Sequence, residues 1–225
     1  MEKKHKSYGV YEKYFKRILD IICSLVVIIL FWWLFILVAI LVRLRLGSPI
    51  IFKQPRPGKN GEIFNLYKFR TMTDDRDEKG ELLPDAQRLT PFGRWLRSTS
   101  LDELPEVFCI LIGTMSLIGP RPLAVKYLPY YNEYEMHRHD VRPGLTGLAQ
   151  VSGRNFVNWD ERFAYDVKYV NKITFWNDLK IIFLTVKAVI KKTGIESCDS
   201  FTLQDFDVYR KNQIKYGDHS NGNII

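Results

Sequence analysis

The residues of this chain best suited to chemistry are an adjacent acidic pair, Asp102-Glu103, in the stretch SLDELP (100–105) just ahead of an apolar run. Ser100 and Glu103 have capping-box spacing, in which a hydroxyl and a carboxylate satisfy the free amides of a helix start. Pro105 opposes that register, because it would fall inside the helix and remove a hydrogen bond. A helix that starts at Asp102 instead keeps Pro105 in the first, unpaired turn. It also sets the Asp102 carboxylate where free N–H groups and the helix dipole favour negative charge. The same helix end receives an anionic phosphate when cations are near. On these residues alone, capping and catalysis both stand.

The cations are present. Arg94, Arg97, Arg121, Arg142 and Arg154 each lie in or beside a short segment rich in glycine or proline. A guanidinium in a rigid frame suits bidentate phosphate binding better than a merely solvated surface does. In Gly119-Pro120-Arg121-Pro122 two prolines frame one arginine. A carboxylate that attacks phosphorus needs such cations, together with Mg²⁺, to offset repulsion between two anions. The combination predicts phosphoryl transfer beside a membrane. His137 and His139 form the one close histidine pair, with nothing of metal-ligand spacing around them, and read as ordinary surface or structural residues. Cys23, Cys109 and Cys198 are far apart and form no CxxC pair, which argues against zinc and disulfide frameworks and fits a reducing cytoplasm.

The elements that must position these groups begin with a membrane segment. Ile21 to Val42 is 22 residues without a charge or a polar face, long enough to span a hydrocarbon core. Lys3, Lys4, Lys6, Lys13, Lys16 and Arg17 precede it, and Arg43, Arg45 and Lys53 follow. Basic residues favour the cytoplasmic side, so crowding at both ends favours a segment that enters and leaves by one face. Trp32-Trp33 supplies no helix breaker at its middle. After the anchor, the alternation around Ile63, Phe64, Leu66 and Phe69 predicts a strand or hairpin, and 73–85 a charged, mobile loop. A helix is expected over 88–100, carrying Arg94 and Arg97, and an amphipathic helix from Leu101 ends at Gly113. A further helix is expected over 128–140, a loop over 140–155, and helices over 158–170 and 178–192. The last is apolar with edging lysines, which suits either an anionic membrane surface or core packing. The tail beyond Phe201 reads as polar and loose.

With 225 residues the chain suits one compact domain plus an anchor. The expected divisions are a basic segment and anchor (1–46), a cytoplasmic catalytic domain (47–200) and a polar tail (201–225). The expected fold class is α+β and mostly helical, with a re-entrant membrane helix, short strands and amphipathic helices on the membrane surface. Lys and Arg number 33 against 25 acidic residues, a net +8 that favours anionic partners. Scarce aromatic-basic arrays argue against nucleic acid.

Four segments carry a resemblance: KRILDI, RPGKNGEIFNLYKFRTM, RSTSLDELPEVFCILIGTMSLIGPRP and HRHDVRPGLTGLAQVSGRN. In this order they resemble the monotopic bacterial sugar transferases, the phosphoglycosyl transferases that start lipid-linked glycan assembly. The resemblance runs from about Phe15 to Thr193. The stretches 74–89 and 127–155 look particularly like the PglC enzymes of bacterial protein N-glycosylation. The resemblance implies that Asp102 is a nucleophile. It would attack the sugar-bearing phosphate of a UDP-sugar, release UMP and pass the phosphosugar to undecaprenyl phosphate, in ping-pong fashion. It further implies Mg²⁺ against Asp102, a supporting carboxylate in Glu103, nucleotide-sugar binding at Arg121 within Pro120-Arg121-Pro122, and phosphate contact at Arg97. Charge and position add Lys68, Arg142 and Arg154 as substrate-binding candidates. The expected donor is UDP-N,N′-diacetylbacillosamine or another acetamido sugar. The expected location is the bacterial inner membrane with the catalytic domain on the cytoplasmic face, in contact with membrane lipids and conceivable as a homodimer. The resembling enzymes usually carry a Ser-Pro pair where Trp32-Trp33 stands here. A membrane-tethered, non-enzymatic partner in glycan assembly is the competing reading, and it would have no need of Asp102.

Overall fold

A computed structural model describes residues 5–152, 158–190 and 204–217. After a π-helical turn over Tyr11–Phe15 comes α1, Lys16–Leu46, one helix that runs unbroken through Trp32 and Trp33. With no proline or glycine in it, its ladder of backbone hydrogen bonds has no point of interruption. It is long and apolar enough to cross a membrane, and little of its apolar stretch is buried within the protein.

Strands β1 (Ile51–Pro57) and β2 (Ile63–Phe69) pair as a hairpin. Its turn uses positive φ at Asn60 and Gly61, residues that tolerate the left-handed region. Short helix α2 (Asp85–Arg88) leads to α3 (Pro91–Ser98), started by Thr90, whose side chain accepts from Gly93 N–H at 3.0 Å, and by Pro91 in the first turn. A 3-10 turn at Leu101–Glu103 precedes α4 (Glu106–Ile112), which stops at Gly113 with φ +97°. Strand β3 (Ser116–Ile118) then pairs in parallel with β4 (Gly144–Thr146), Ser116 opposite Gly144 and Ile118 opposite Thr146. Between them lie a 3-10 segment, Val125–Tyr130, α5 (Glu133–Met136) and a further 3-10 turn. The remaining helices are α6 (Leu148–Ser152), α7 (Trp159–Asn171), α8 (Phe175–Ile190) and α9 (Phe206–Gly217).

The chain divides into two compact units. One holds 17–55 and 64–115; the other holds the N-terminal residues to Lys16, 56–63, and 116 onward. In the first, Val38, Val42 and Leu46 of α1 bury against Phe69 and Leu96, so the C-terminal half of α1 is part of the core that supports α3. In the second, Ile118, Tyr169, Ile173 and Ile181 form one cluster, and Leu123, Tyr127, Trp159, Phe163 and Phe206 form another.

Four expectations need correction. The helix expected over 128–140 is broken into short turns, because Pro129 lacks an N–H and Asn132 restarts the chain with its own capping box with Glu135. The stretch 140–155 is not all loop, since β4 and α6 lie within it. The amphipathic helix does not begin at Leu101: Ser100 is left-handed, φ +56°, makes no side-chain cap, and Pro105 stands at the N-cap of α4. The tail is not loose throughout, because α9 forms there and Phe206 is fully buried.

Leu96 has no solvent exposure and joins α3 to α1. Leu96→Ala is expected to remove about 2–5 kcal/mol, measured as a lower unfolding midpoint in detergent micelles, whereas Leu30→Ala on the exposed side of α1 leaves the midpoint near that of the parent.

Candidate active site

Asp102 sits in the 3-10 turn between α3 and α4 and is only 7% exposed. Its pKa is raised, chiefly by burial; Lys68 and Arg97 act in the opposite sense through their positive charge, and Glu103 adds to the rise. Two cations and one further acid therefore surround a largely desolvated carboxylate.

Each neighbour is itself held. Lys68, near the end of β2, donates to Glu103 at 2.7 Å and pairs with Glu106 at 3.1 Å. Glu106 is buried in the first turn of α4, where the helix dipole favours a carboxylate. Arg97 of α3 donates through Nε to Thr71 Oγ1 at 3.1 Å. That contact depends on a close approach: a Cβ at Gly93 would stand 1.8 Å from the Thr71 carbonyl oxygen. Glycine lets α3 lie against the strand exit, and Arg97 follows one turn later. At the other end of α4, Arg17 donates to the carbonyls of Ile110 at 2.6 Å and Leu111 at 2.8 Å, a cation on the last free acceptors of the helix.

The Pro120-Arg121-Pro122 segment belongs to the other unit. Its entry is fixed by backbone bonds, Gly119 N–H to the Thr146 carbonyl and Gly144 N–H to the Pro120 carbonyl, both 2.9 Å. The Arg121 carbonyl accepts from Arg138 Nη2 at 2.7 Å. Arg138, 2% exposed, is paired with Asp166 at 2.8 Å, bonds the Tyr131 hydroxyl, and lies over the rings of Tyr131 and Phe163. Beside it, burial and the Arg138 charge hold His139 down to about 3, so the ring is neutral and donates through Nδ1 to the Gly58 carbonyl at 3.2 Å. Pro57, Pro120, Arg121, Pro122, Arg138 and His139 share the wall of a shallow indentation.

The structure thus brings Lys68, Arg97, Asp102 and Glu103 together in one unit and places Pro120, Arg121, Pro122 and Arg142 in the other. Arg94 turns back to the Leu89 carbonyl in the turn between α2 and α3, and Arg154 lies outside the described residues. Sequence reasoning missed Glu106, Thr71, Arg138 and Asp166. Glu106 had a local signal, a third acid just after Pro105. Arg138 had none, since its partner is 28 residues further along.

Among the described residues no three His, Cys, Asp or Glu side chains are grouped to hold a metal. Mg²⁺ commonly takes one or two carboxylates and completes its shell with water and substrate phosphate. In that mode Asp102, with Glu103 next to it in the same 3-10 turn, would be the protein's ligand in its ionised form.

With this site in view, the chain matches the bacterial sugar transferase family over residues 11–192 and belongs to it. It is 49% identical over 197 residues to the uncharacterized sugar transferase EpsL of Bacillus subtilis, a match that covers 85% of this chain and 95% of that one. It is 41% identical over 191 residues to the UDP-glucose:undecaprenyl-phosphate glucose-1-phosphate transferase of Klebsiella pneumoniae, covering 80% of this chain and 41% of the relative. Against the undecaprenyl-phosphate galactose phosphotransferase of Salmonella typhimurium the identity is 39% over 199 residues, 81% of this chain and 42% of the relative. The chain therefore spans less than half the length of the latter two.

Removing Arg138 leaves Asp166 buried and unpaired. Arg138→Met is expected to destabilise by about 3–5 kcal/mol, and Arg138→Met combined with Asp166→Leu to recover most of it, as read by denaturant unfolding of the two variants side by side.

Proposed function

We propose that the chain transfers a sugar-1-phosphate from a UDP-sugar to undecaprenyl phosphate through a phosphosugar carried on Asp102. The observation that carries this reading is the buried Asp102 carboxylate with Lys68 and Arg97 acting on its charge, in a chain of the bacterial sugar transferase family. A carboxylate oxygen of Asp102 forms the new bond to phosphorus, the bond from phosphorus to the uridylate oxygen breaks, and UMP leaves. The acceptor's phosphate oxygen then attacks the same phosphorus, frees the carboxylate, and departs as the diphosphate-linked lipid. Lys68 and Arg97 oppose the repulsion between anions, and Glu103 and Glu106 keep Lys68 in place. Mg²⁺, when bound at Asp102, supplies further charge neutralisation. Arg121 is assigned to the nucleotide-sugar, with Arg142 and Arg154 as accessory phosphate contacts.

For the sugar, the resemblance of 74–89 and 127–155 favours an acetamido donor, UDP-N,N′-diacetylbacillosamine first. A hexose donor is the second reading, favoured by relatives named for glucose and galactose. The reaction would open glycan assembly at the cytoplasmic face of the inner membrane, with a homodimer as the proposed assembly.

The anchor is proposed to be re-entrant. What supports this is that both ends of α1 engage one compact unit: Arg17 bonds the end of α4, while Val38, Val42 and Leu46 pack with Phe69 and Leu96. The basic residues at both ends of α1 favour the same face, while the helix itself runs unbroken. Helix α8 supports membrane contact as well. Ile181 faces the core, while Trp176 (75% exposed), Phe183 (68%) and Val189 lie outward with exposed Lys180 and Lys187. Lys191 and Lys192 lie outside the described residues.

Three outcomes are expected. In membrane fractions with UDP-sugar, Mg²⁺ and undecaprenyl phosphate, Asp102→Asn should lower UMP release by about 10³-fold or more; full activity would refute the nucleophile. Across a panel of UDP-sugars, the acetamido donors should give the highest kcat/KM, and a preference for UDP-glucose or UDP-galactose would establish the hexose reading. A single cysteine at Ser7 should stay unlabelled by an impermeant maleimide in intact cells, and ready labelling would exclude re-entry.

A further inference from the structure

Helix α9 lies beyond the residues matched to the family, yet it is not an idle appendage. Phe206 is fully buried among Tyr127, Tyr131, Trp159 and Phe163, edge-on to Phe163 at 4.9 Å and stacked on Tyr131 at 5.3 Å. Polar contacts surround that plug. Trp159 Nε1 donates to the Gln204 carbonyl at 2.9 Å, and the Tyr127 hydroxyl donates to Asp205 at 3.0 Å. Tyr209 donates to Asp160 at 2.7 Å, and Arg210 pairs with Glu135, the residue that completes the capping box of α5.

Two of the rings packed against Phe206, Tyr131 and Phe163, are the same two over which the Arg138 guanidinium lies. Tyr131 also accepts from Arg138 Nη1 at 3.3 Å. Arg138 in turn grips the Arg121 carbonyl. A continuous set of packed rings and hydrogen bonds therefore runs from α9 to the main chain of the Pro-Arg-Pro segment. Buried aromatic packing of this kind is rigid, so displacement of one member is felt by the next.

We propose that α9 is a positioning element for the Arg121 segment, with Phe206 acting through Tyr131, Phe163 and Arg138, and Arg210 acting through Glu135. The consequence for donor binding rests on the reading of Arg121 as a nucleotide-sugar contact. Neither Phe206 nor Arg210 touches substrate in this scheme; both act on the frame in which Arg121 is held.

The test uses full-length protein in detergent or nanodiscs, with Phe206→Ala, the milder Phe206→Leu and Arg210→Gln, and Arg121→Ala as the control. Hydrogen exchange by mass spectrometry should show faster exchange of the Gly119, Arg121 and Leu123 amides in Phe206→Ala, with Phe206→Leu intermediate. KM for the UDP-sugar should rise about fivefold or more in Phe206→Ala and Arg210→Gln while kcat stays within about twofold and KM for undecaprenyl phosphate is unchanged. Unaltered exchange in 119–123, with only a lower unfolding midpoint, would overturn the proposal by reducing α9 to a stabilising brace. Should Phe206→Ala fail to fold, Phe206→Leu and Arg210→Gln decide by the same two readouts. If exchange quickens but neither Arg121→Ala nor the α9 variants change donor KM, the assignment of Arg121 fails and the functional consequence falls with it, while the mechanical coupling stands.

Discussion

Desolvation of a single carboxylate is the constraint on which the first unit is arranged. Burial raises the proton affinity of Asp102, and in the proposed reaction a protonated carboxyl would be a poor nucleophile. The surrounding charges answer this in layers. Lys68 and Arg97 favour the ionised form, and each is immobilised by a partner on a different element: Glu103 and Glu106 for Lys68, Thr71 for Arg97. Those partners require β2, α3 and the start of α4 to meet closely, which Gly93 permits and the Val42–Leu96–Phe69 cluster maintains. The membrane helix is thus a packing partner of the site-bearing elements as well as an apolar anchor.

The second unit solves a similar problem around a loop instead of a side chain. Two prolines stiffen residues 120–122, but stiffness alone does not orient them. The orientation comes from backbone bonds to β4 and from a buried guanidinium, Arg138, whose charge is balanced by Asp166 and whose faces are covered by aromatic rings. A buried ion pair contributes little net stability against an apolar replacement, yet breaking one side is severe. Such a pair suits a place where geometry matters more than stability.

Much of this was legible in the sequence where the signal is local. The charge-free run made α1 readable, Gly113 marked the stop of α4, and the helices over 158–170 and 178–192 appear as α7 and α8. Lys68, Arg97, Asp102 and Glu103 were all named from residue type and neighbourhood, and the structure places them in one unit. Signals carried by distant partners were not legible. The parallel pairing of β3 with β4 joins two three-residue strands that are 28 positions apart, within stretches whose glycines and prolines read as turns. The burial of Arg138 depends on Asp166, and that of Phe206 on four aromatic residues from earlier in the chain. Ser100 and Glu103 had the right spacing for a cap, but tertiary pairing drew Glu103 to Lys68 instead.

Intact-protein mass spectrometry tests the central claim most directly. The purified protein is incubated with a UDP-sugar and Mg²⁺, without lipid acceptor, quenched in acid and weighed. The account predicts an added mass equal to one phosphosugar, mapped to Asp102 by peptide sequencing, absent from Asp102→Asn and discharged when undecaprenyl phosphate is supplied. Lipid-linked product formed at a normal rate with no such adduct, even under rapid quench, would contradict it.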